Sequence, residues 1–194
     1  MATITLIQGH PDAGNGHLLD DLADAYLDGA AAGGHMAETL RLNALDFPLI
    51  RSKQDWEEGP IPPDIQAAQA AILSADHLVF LFPLWLGDVP ALMKAFLEQV
   101  ARPAFLLEEP AKGFASRRRL AGRSTRSIVS MGMPALLYRL YFLSHGVRSF
   151  KRNVLGFAGL GPNADTLIGM VDNMPTERRD RLLQRMEALG RARK

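Results

Sequence analysis

The sequence predicts an α/β protein with a five-stranded parallel sheet and helices on both faces, in a single domain spanning residues 1–194. Three observations predict this. Short apolar, β-rich runs alternate with stretches of helical period, the pattern of a sheet wrapped by crossover helices. The run Leu78-Val79-Phe80-Leu81-Phe82 is continuously apolar, as a strand buried on both faces requires. Several of the β-rich runs end in turns rich in Gly and Pro, and no repeat, heptad array or interdomain linker interrupts the series.

The elements follow in order. Ile4 to Ile7 is β-rich and runs into Gln8-Gly9-His10-Pro11, a strand followed by a turn. Leu18, Leu19, Leu22, Tyr26 and Leu27 recur at helical spacing, which predicts a helix over 17–32 ended by Gly33 and Gly34. Glu38 to Leu42 alternates as a second strand, and residues 43–63 are loop-rich. A helix is predicted over 64–74, a third strand over 76–82, and a helix over 90–100 with Pro90 in its first turn. Residues 101–123 form a long, basic connection. A fourth strand is predicted over 124–130, a helix over 135–143, a fifth strand over 153–160 and an amphipathic final helix over 175–191.

Composition narrows the function classes. Hydrophobic content of 47% and charged content of 22% are those of an ordinary globular protein. No apolar run reaches the length of a membrane span. The start alternates like a strand and lacks a basic leader, so a cytoplasmic protein is expected. The absence of cysteine excludes a disulfide framework, thiolate zinc sites and a cysteine nucleophile. The net charge of +1 is unevenly placed: residues 1–100 carry four Lys/Arg against fourteen Asp/Glu, and residues 101–194 carry eighteen against seven. The basic half suits either charge matching within or between subunits, or steering of an anionic ligand or an acidic membrane surface.

Three loops hold residues suited to chemistry. In the first, His10-Pro11-Asp12-Ala13-Gly14-Asn15-Gly16-His17 leads straight into a helix beginning at Leu18. A helix start offers free N–H groups and a positive dipole end to an anion. The loop has neither a Gly-Lys-Ser/Thr ending nor Gly-x-Gly-x-x-Gly spacing. In the second, Pro83-Leu84-Trp85-Leu86-Gly87 follows the third strand. Backbone N–H groups beside flat apolar side chains suit a planar, polar-edged ring such as a flavin, and ligands of open α/β sheets sit at strand carboxyl ends. In the third, Ser130-Met131-Gly132-Met133 ends the fourth strand, where a glycine lets backbone lie against a ring edge. Tyr138 and His145 follow; on residues alone, each is better explained as part of a helix surface or helix end.

The remaining candidates are weaker. Asp20, Asp21 and Asp24 read as a solvated helix face, and no metal site is expected. His35 and His77 read as loop or surface. Arg117, Arg118, Arg119, Arg123 and Arg126 suit either a solvated loop or a ribose phosphate. A basic helix with interleaved aromatics is lacking, so no nucleic-acid partner is expected. No Gly-x-Ser-x-Gly elbow is present.

The run Phe80 to Val100, with Val89-Pro90-Ala91-Leu92-Met93-Lys94 at its helix start, closely resembles the signature of the flavodoxin-like NAD(P)H:quinone oxidoreductases. His10-Pro11, Tyr138, His145-Gly146 and Asn153 to Leu160 resemble that family as well, while Asn15 and His17 stand where it has Ser and Asn. The resemblance implies a flavodoxin-like three-layer fold with strand order 2-1-3-4-5. It implies FMN or FAD held by His10, Asn15, Gly16, His17, Leu18, Pro83, Leu84, Trp85, Leu86, Gly87, Ser130, Met131, Gly132 and Met133. Tyr138 and His145 would serve as catalytic groups at the flavin N1 and O2 edge. The implied reaction is two-electron reduction of a quinone, or of an azo or nitro-type electrophile, with NAD(P)H as hydride donor and both using one pocket in turn. A homodimer with the site at its interface is implied too. Two other readings stay open. One is a regulatory flavoprotein in peripheral contact with a membrane or transporter. The other is a flavodoxin-like electron carrier, although such carriers have an acidic flavin surround and a Thr-rich phosphate loop that this chain lacks.

Overall fold

The computed structural model describes residues 1–14, 16–107 and 118–194. Asn15, Arg117 and the middle of the basic connection lie outside the described residues. The strands are β1 (Thr3–Gln8), β2 (Met36–Arg41), β3 (His77–Pro83), β4 (Ser124–Ser130) and β5 (Asn163–Ile168). All pair in parallel, in the order β2-β1-β3-β4-β5. The expected architecture and order are therefore present. β3 sits at the centre and every one of its residues is buried, which is why its sequence is continuously apolar.

Helices α1 (Leu18–Ala32) and α8 (Thr176–Arg191) cover one face. They bury Leu19, Leu22, Tyr26 and Met186 against Ile4, Leu6, Val79, Leu81 and Ile128. Their backbones touch: a Cβ on Gly190 would stand 2.1 Å from the Tyr26 carbonyl oxygen. A glycine inside a helix costs about 1 kcal/mol relative to alanine, and here the close crossing requires it.

The other face carries α3 (Pro63–Ser74), α4 (Ala91–Val100) and the helical run from α7 (His145–Ser149) into a π-helical stretch, Phe150–Leu155. Phe150 meets Phe80 and Phe82 edge-on, at 5.3 and 5.4 Å between ring centres. Shorter helices α2 (Lys53–Glu58), α5 (Pro103–Leu106) and α6 (Ala135–Leu140) complete the chain.

The fifth strand is a correction. Residues 153–160 are not a strand: Gly156 N–H donates to the Lys151 carbonyl and Ala158 N–H to that of Val154, both helical bonds. Phe150, Leu155, Ala158 and Leu160 are buried in the α4-side core. Apolar residues at these spacings serve a helix as well as a strand. The strand that pairs with β4 is the more polar Asn163–Ile168, at the sheet edge and only partly buried.

His77 is a second correction. It is 2% exposed, on β3, with Nδ1 2.7 Å from Ser124 Oγ. Burial, aided by Arg126 and Arg193, pulls its pKa down to about 4. Asp20 and Asp21 are not free surface carboxylates either: Asp20 accepts from Gln8 at 2.9 Å and pairs with Arg41, and Asp21 pairs with Arg179.

Arg118, Arg123 and Arg126 of the basic cluster brace the scaffold. Arg123 donates to the Ala75 and Leu73 carbonyls at 2.9 and 2.7 Å, closing the carboxyl end of α3. Arg126 donates to Thr166 at 2.8 Å, and Arg118 lies 5.6 Å over the Phe157 ring.

Candidate functional site

The carboxyl ends of β1, β3, β4 and β5 open into one cleft of ≈ 560 Å³, a size suited to a small-molecule ligand. Its first wall is the β1 loop. Asp12 organises that loop: its Oδ1 accepts from Gly14 N–H at 2.8 Å, and its carbonyl accepts from Asn43 at 2.8 Å. The Gly14 bond holds the Asp12 carboxyl below its usual pKa. The rings of His10 and His17 stack with centres 4.0 Å apart, and Trp85 stands edge-on to His10 at 6.1 Å. His10 Nδ1 accepts from Asp12 N–H at 3.2 Å, so neutral His10 carries its proton on Nε2. Burial first, and then neighbouring His17, lower the His10 pKa and favour that neutral form.

Gly16 has φ of 91°, a conformation that side chains resist, and opens directly to α1. His17 is the residue before the helix and makes no side-chain cap; its carbonyl takes the Asp20 N–H at 2.9 Å, and the Leu18 and Leu19 N–H groups face a ligand position. The acidic residues of that turn do not oppose an anion freely, because Arg41 and Arg179 neutralise Asp20 and Asp21.

The second wall is the β3 turn. Trp85 and Asp88 exchange two backbone hydrogen bonds, each 3.0 Å. Between them Leu86 has φ of 49° and Gly87 φ of 83°, a type I′ turn. Gly87 accepts this readily; Leu86 holds it under strain and is fully exposed at the tip. Trp85 is 49% exposed. Leu84 N–H donates to the Ser130 carbonyl at 2.7 Å, which ties this turn to the end of β4.

The third wall is Ser130, Met131 and Gly132. A Cβ on Gly132 would stand 2.7 Å from Asp172 Oδ2, so glycine there lets the carboxylate lie against the backbone. Val171, Asp172 and Arg179 line the same cleft.

Of the residues expected from sequence, His10, Gly16, His17, Leu18, Pro83, Leu84, Trp85, Ser130, Met131 and Gly132 converge on this cleft. Leu86 and Gly87 form the tip of its second wall, outside the lining. The Met133 carbonyl is taken by Met170 N–H at 3.2 Å. Tyr138 and His145 also lie outside the lining. Tyr138 is 1% exposed, and its hydroxyl accepts from the Val147 amide at 3.2 Å. Burial raises its pKa. His145 is exposed and faces a separate open cleft with Arg148 and Lys151. The two regions nevertheless touch, because Gly146 packs onto the Gly87 carbonyl.

Asp172 and Arg179 were not among the residues read from sequence. Their signal is position: once β5 is placed at 163–168, Asp172 falls in the loop at its carboxyl end. A second cavity, ≈ 280 Å³, has walls such as Ile72, Phe80, Phe96 and Leu155. Lys94, Glu98 and Asn153 are its polar lining, and its character is that of core packing.

The family model Flavodoxin_2, described as a flavodoxin-like fold, matches residues 2–190. Among curated proteins, the chain is 38% identical over 56 residues to NAD(P)H dehydrogenase (quinone) 1 of Rattus norvegicus, covering 29% of this chain and 20% of that one. It is 33% identical over 96 residues to the glutathione-regulated potassium-efflux system ancillary protein KefG of Cronobacter sakazakii, covering 45% and 47%. The chain thus spans less than half the length of either relative. Among solved structures, an NAD(P)H:quinone oxidoreductase from Methanothermobacter marburgensis superposes with a TM-score of 0.82 at 21% identity, over 100% of this chain and 99% of that one.

Proposed function

Since this chain belongs to the Flavodoxin_2 family, we propose that it is a flavin-dependent NAD(P)H oxidoreductase that reduces quinones, or azo and nitro-type electrophiles, by two-electron transfer. One observation carries the reading. Three loops from different strand ends meet in a single cleft, whose lining includes both the start of α1, which has no side-chain cap, and the half-exposed Trp85. That is the shape of a site for a flat ring joined to a phosphate.

The residues fit the group. The first-turn amides of α1, with Gly16 and His17, would hold the phosphate of FMN or FAD, and neutral His10 would offer its Nε2 proton. Trp85 and Leu84 would wall the ring, and backbone at Ser130 to Gly132 would meet its polar edge. When bound, the flavin supplies the hydride chemistry.

The protein's part is binding, orientation and charge control. Tyr138 and His145 are proposed to steady charge at the ring edge. The Gly146 contact on the Gly87 turn would carry them to that edge, where the Tyr138 hydroxyl, leaving the Val147 amide, would donate to the ring. A homodimer is part of the proposal: a second copy laid over Trp85 and Leu86 would exclude water from the ring and bury two exposed apolar side chains.

The likeness to an ancillary protein of a potassium-efflux system favours a second reading, a regulatory flavoprotein that acts on a transporter. Desalting the protein after incubation with FMN or FAD tests the cofactor shared by both. Retained flavin supports them, and colourless protein contradicts them. Turnover of quinone by the retained flavoprotein then separates enzyme from regulator.

A further inference from the structure

Residues 135–143 read Ala-Leu-Leu-Tyr-Arg-Leu-Tyr-Phe-Leu, and the fold turns most of that apolar surface outward. Leu136 is 66%, Leu140 69% and Tyr141 75% exposed, and Leu143 is half exposed. Leu143 and Ser144 take successive left-handed conformations, φ of 50° and 51°, although neither is glycine. Two backbone bonds hold them there: Ser144 N–H to the Tyr138 carbonyl and His145 N–H to that of Phe142, both 3.1 Å. The chain thus sustains local strain where the apolar tip turns into α7.

Beside the tip lies an open cleft of ≈ 960 Å³ lined by Arg139, His145, Arg148, Lys151 and Arg152. Its lining carboxylate, Asp165, is already paired with Lys151. An apolar tip flanked by basic side chains is the arrangement of proteins that lie on bilayers: apolar groups enter the headgroup boundary while cations meet lipid phosphates.

We propose that this face docks the protein on an anionic phospholipid bilayer. Charge decides the occupant. A second copy docked through this same face would bring a second set of cations, Arg139, Arg148 and Arg152, into the contact, and the lining carboxylate Asp165 is already paired with Lys151. An anionic bilayer supplies both the apolar phase and the opposite charge. No described helix is long and apolar enough to cross a membrane, so the contact is peripheral. The face lies outside the lining of the cleft between the strand ends and adjoins it through the contact of Gly146 on Gly87, so Tyr138 and His145 are left unchanged in the test.

The test is co-sedimentation of the purified full-length chain with vesicles. One set mixes phosphatidylglycerol with phosphatidylcholine; the other is phosphatidylcholine alone. The chain is expected to sediment with the anionic set, and more weakly at high salt. Replacing Arg148 and Arg152 together by Gln should weaken binding by about fivefold for each charge removed. Replacing Leu140 and Tyr141 by Ser should weaken it as well, which a purely ionic contact would not show. Three results would overturn the proposal. One is no preference for anionic vesicles. Another is full binding by the Leu140→Ser, Tyr141→Ser variant. The third is a dimer in sedimentation equilibrium that this variant abolishes.

Discussion

Gly146 rests on the carbonyl of Gly87 so closely that a Cβ on it would stand 2.0 Å from that oxygen. The start of α7 and the tip of the Trp85–Asp88 turn are therefore one packed unit. Gly146→Ala forces the two apart. The expected cost is about 1–3 kcal/mol of stability from overpacking, together with weaker flavin binding. Urea unfolding and a flavin titration check both. Unchanged values would mean that the turn yields freely and plays no part in shaping the site.

Arg179 pairs with Asp21 and lines the cleft, close to the amino end of α1. Its removal leaves a carboxylate uncompensated near the proposed phosphate position. Arg179→Gln is expected to weaken flavin binding by about tenfold, the order expected when a charge-assisted contact is lost. Fluorescence titration with FMN and FAD measures it. Equal affinity in the variant would place the phosphate elsewhere.

Tyr138 has two readings that one variant separates. Its hydroxyl satisfies the buried Val147 amide. Tyr138→Phe leaves that amide unpaired, at a cost of about 1–3 kcal/mol. If the residue also serves the reaction, the rate constant for flavin reduction falls too, by about a hundredfold for a lost proton donor. Stopped-flow reduction and a thermal melt on the same sample check this. A lower melting temperature with an unchanged rate constant would make Tyr138 a scaffold residue only.

His77 gives the fold a pH dependence. Its pKa is lowered to about 4 in the folded protein, mainly by burial, against about 6.5 in an unfolded chain. Between these values the unfolded state binds more protons, so stability rises with pH across the window and is lost as pH falls from about 6.5 to about 4. The contribution is about 3 kcal/mol at most. Urea unfolding from neutral to acid pH should show that slope, and His77→Gln should flatten it. A wild-type slope retained in the variant would assign the acid sensitivity to other groups.

Much of this arrangement is legible in the sequence, and the failures have physical causes. β1 and β3 are inner strands whose apolar residues mark them in the sequence, and β4, though richer in Ser and Thr, ends in the Gly-containing turn 130–134 that marks a strand end. The loops 10–17, 83–87 and 130–132 could be placed at strand ends, and the structure brings their described lining residues into one cleft. β5 was misplaced because residues 153–160 pack their apolar side chains inward from a helical run, whereas the real edge strand is polar and half wet. That error hid Asp172, whose meaning depends on where the strand ends. The burial of His77 was also hidden. A histidine at the start of an apolar strand can face solvent or core, and only the packing of α1 and α8 decides. Tyr138 sits among exposed apolar neighbours on a short helix, so its own burial could not be read from spacing.

The strand-end cleft is proposed to hold a flavin reducible by NAD(P)H. The most direct measurement is the anaerobic visible spectrum of the desalted protein after loading with FMN or FAD. NADPH or NADH is then added, followed by a quinone. A flavin band is expected to stay with the protein, bleach in one two-electron step and return when the quinone is added. Protein that emerges without flavin, or a bound flavin that neither nucleotide bleaches, would contradict the proposal.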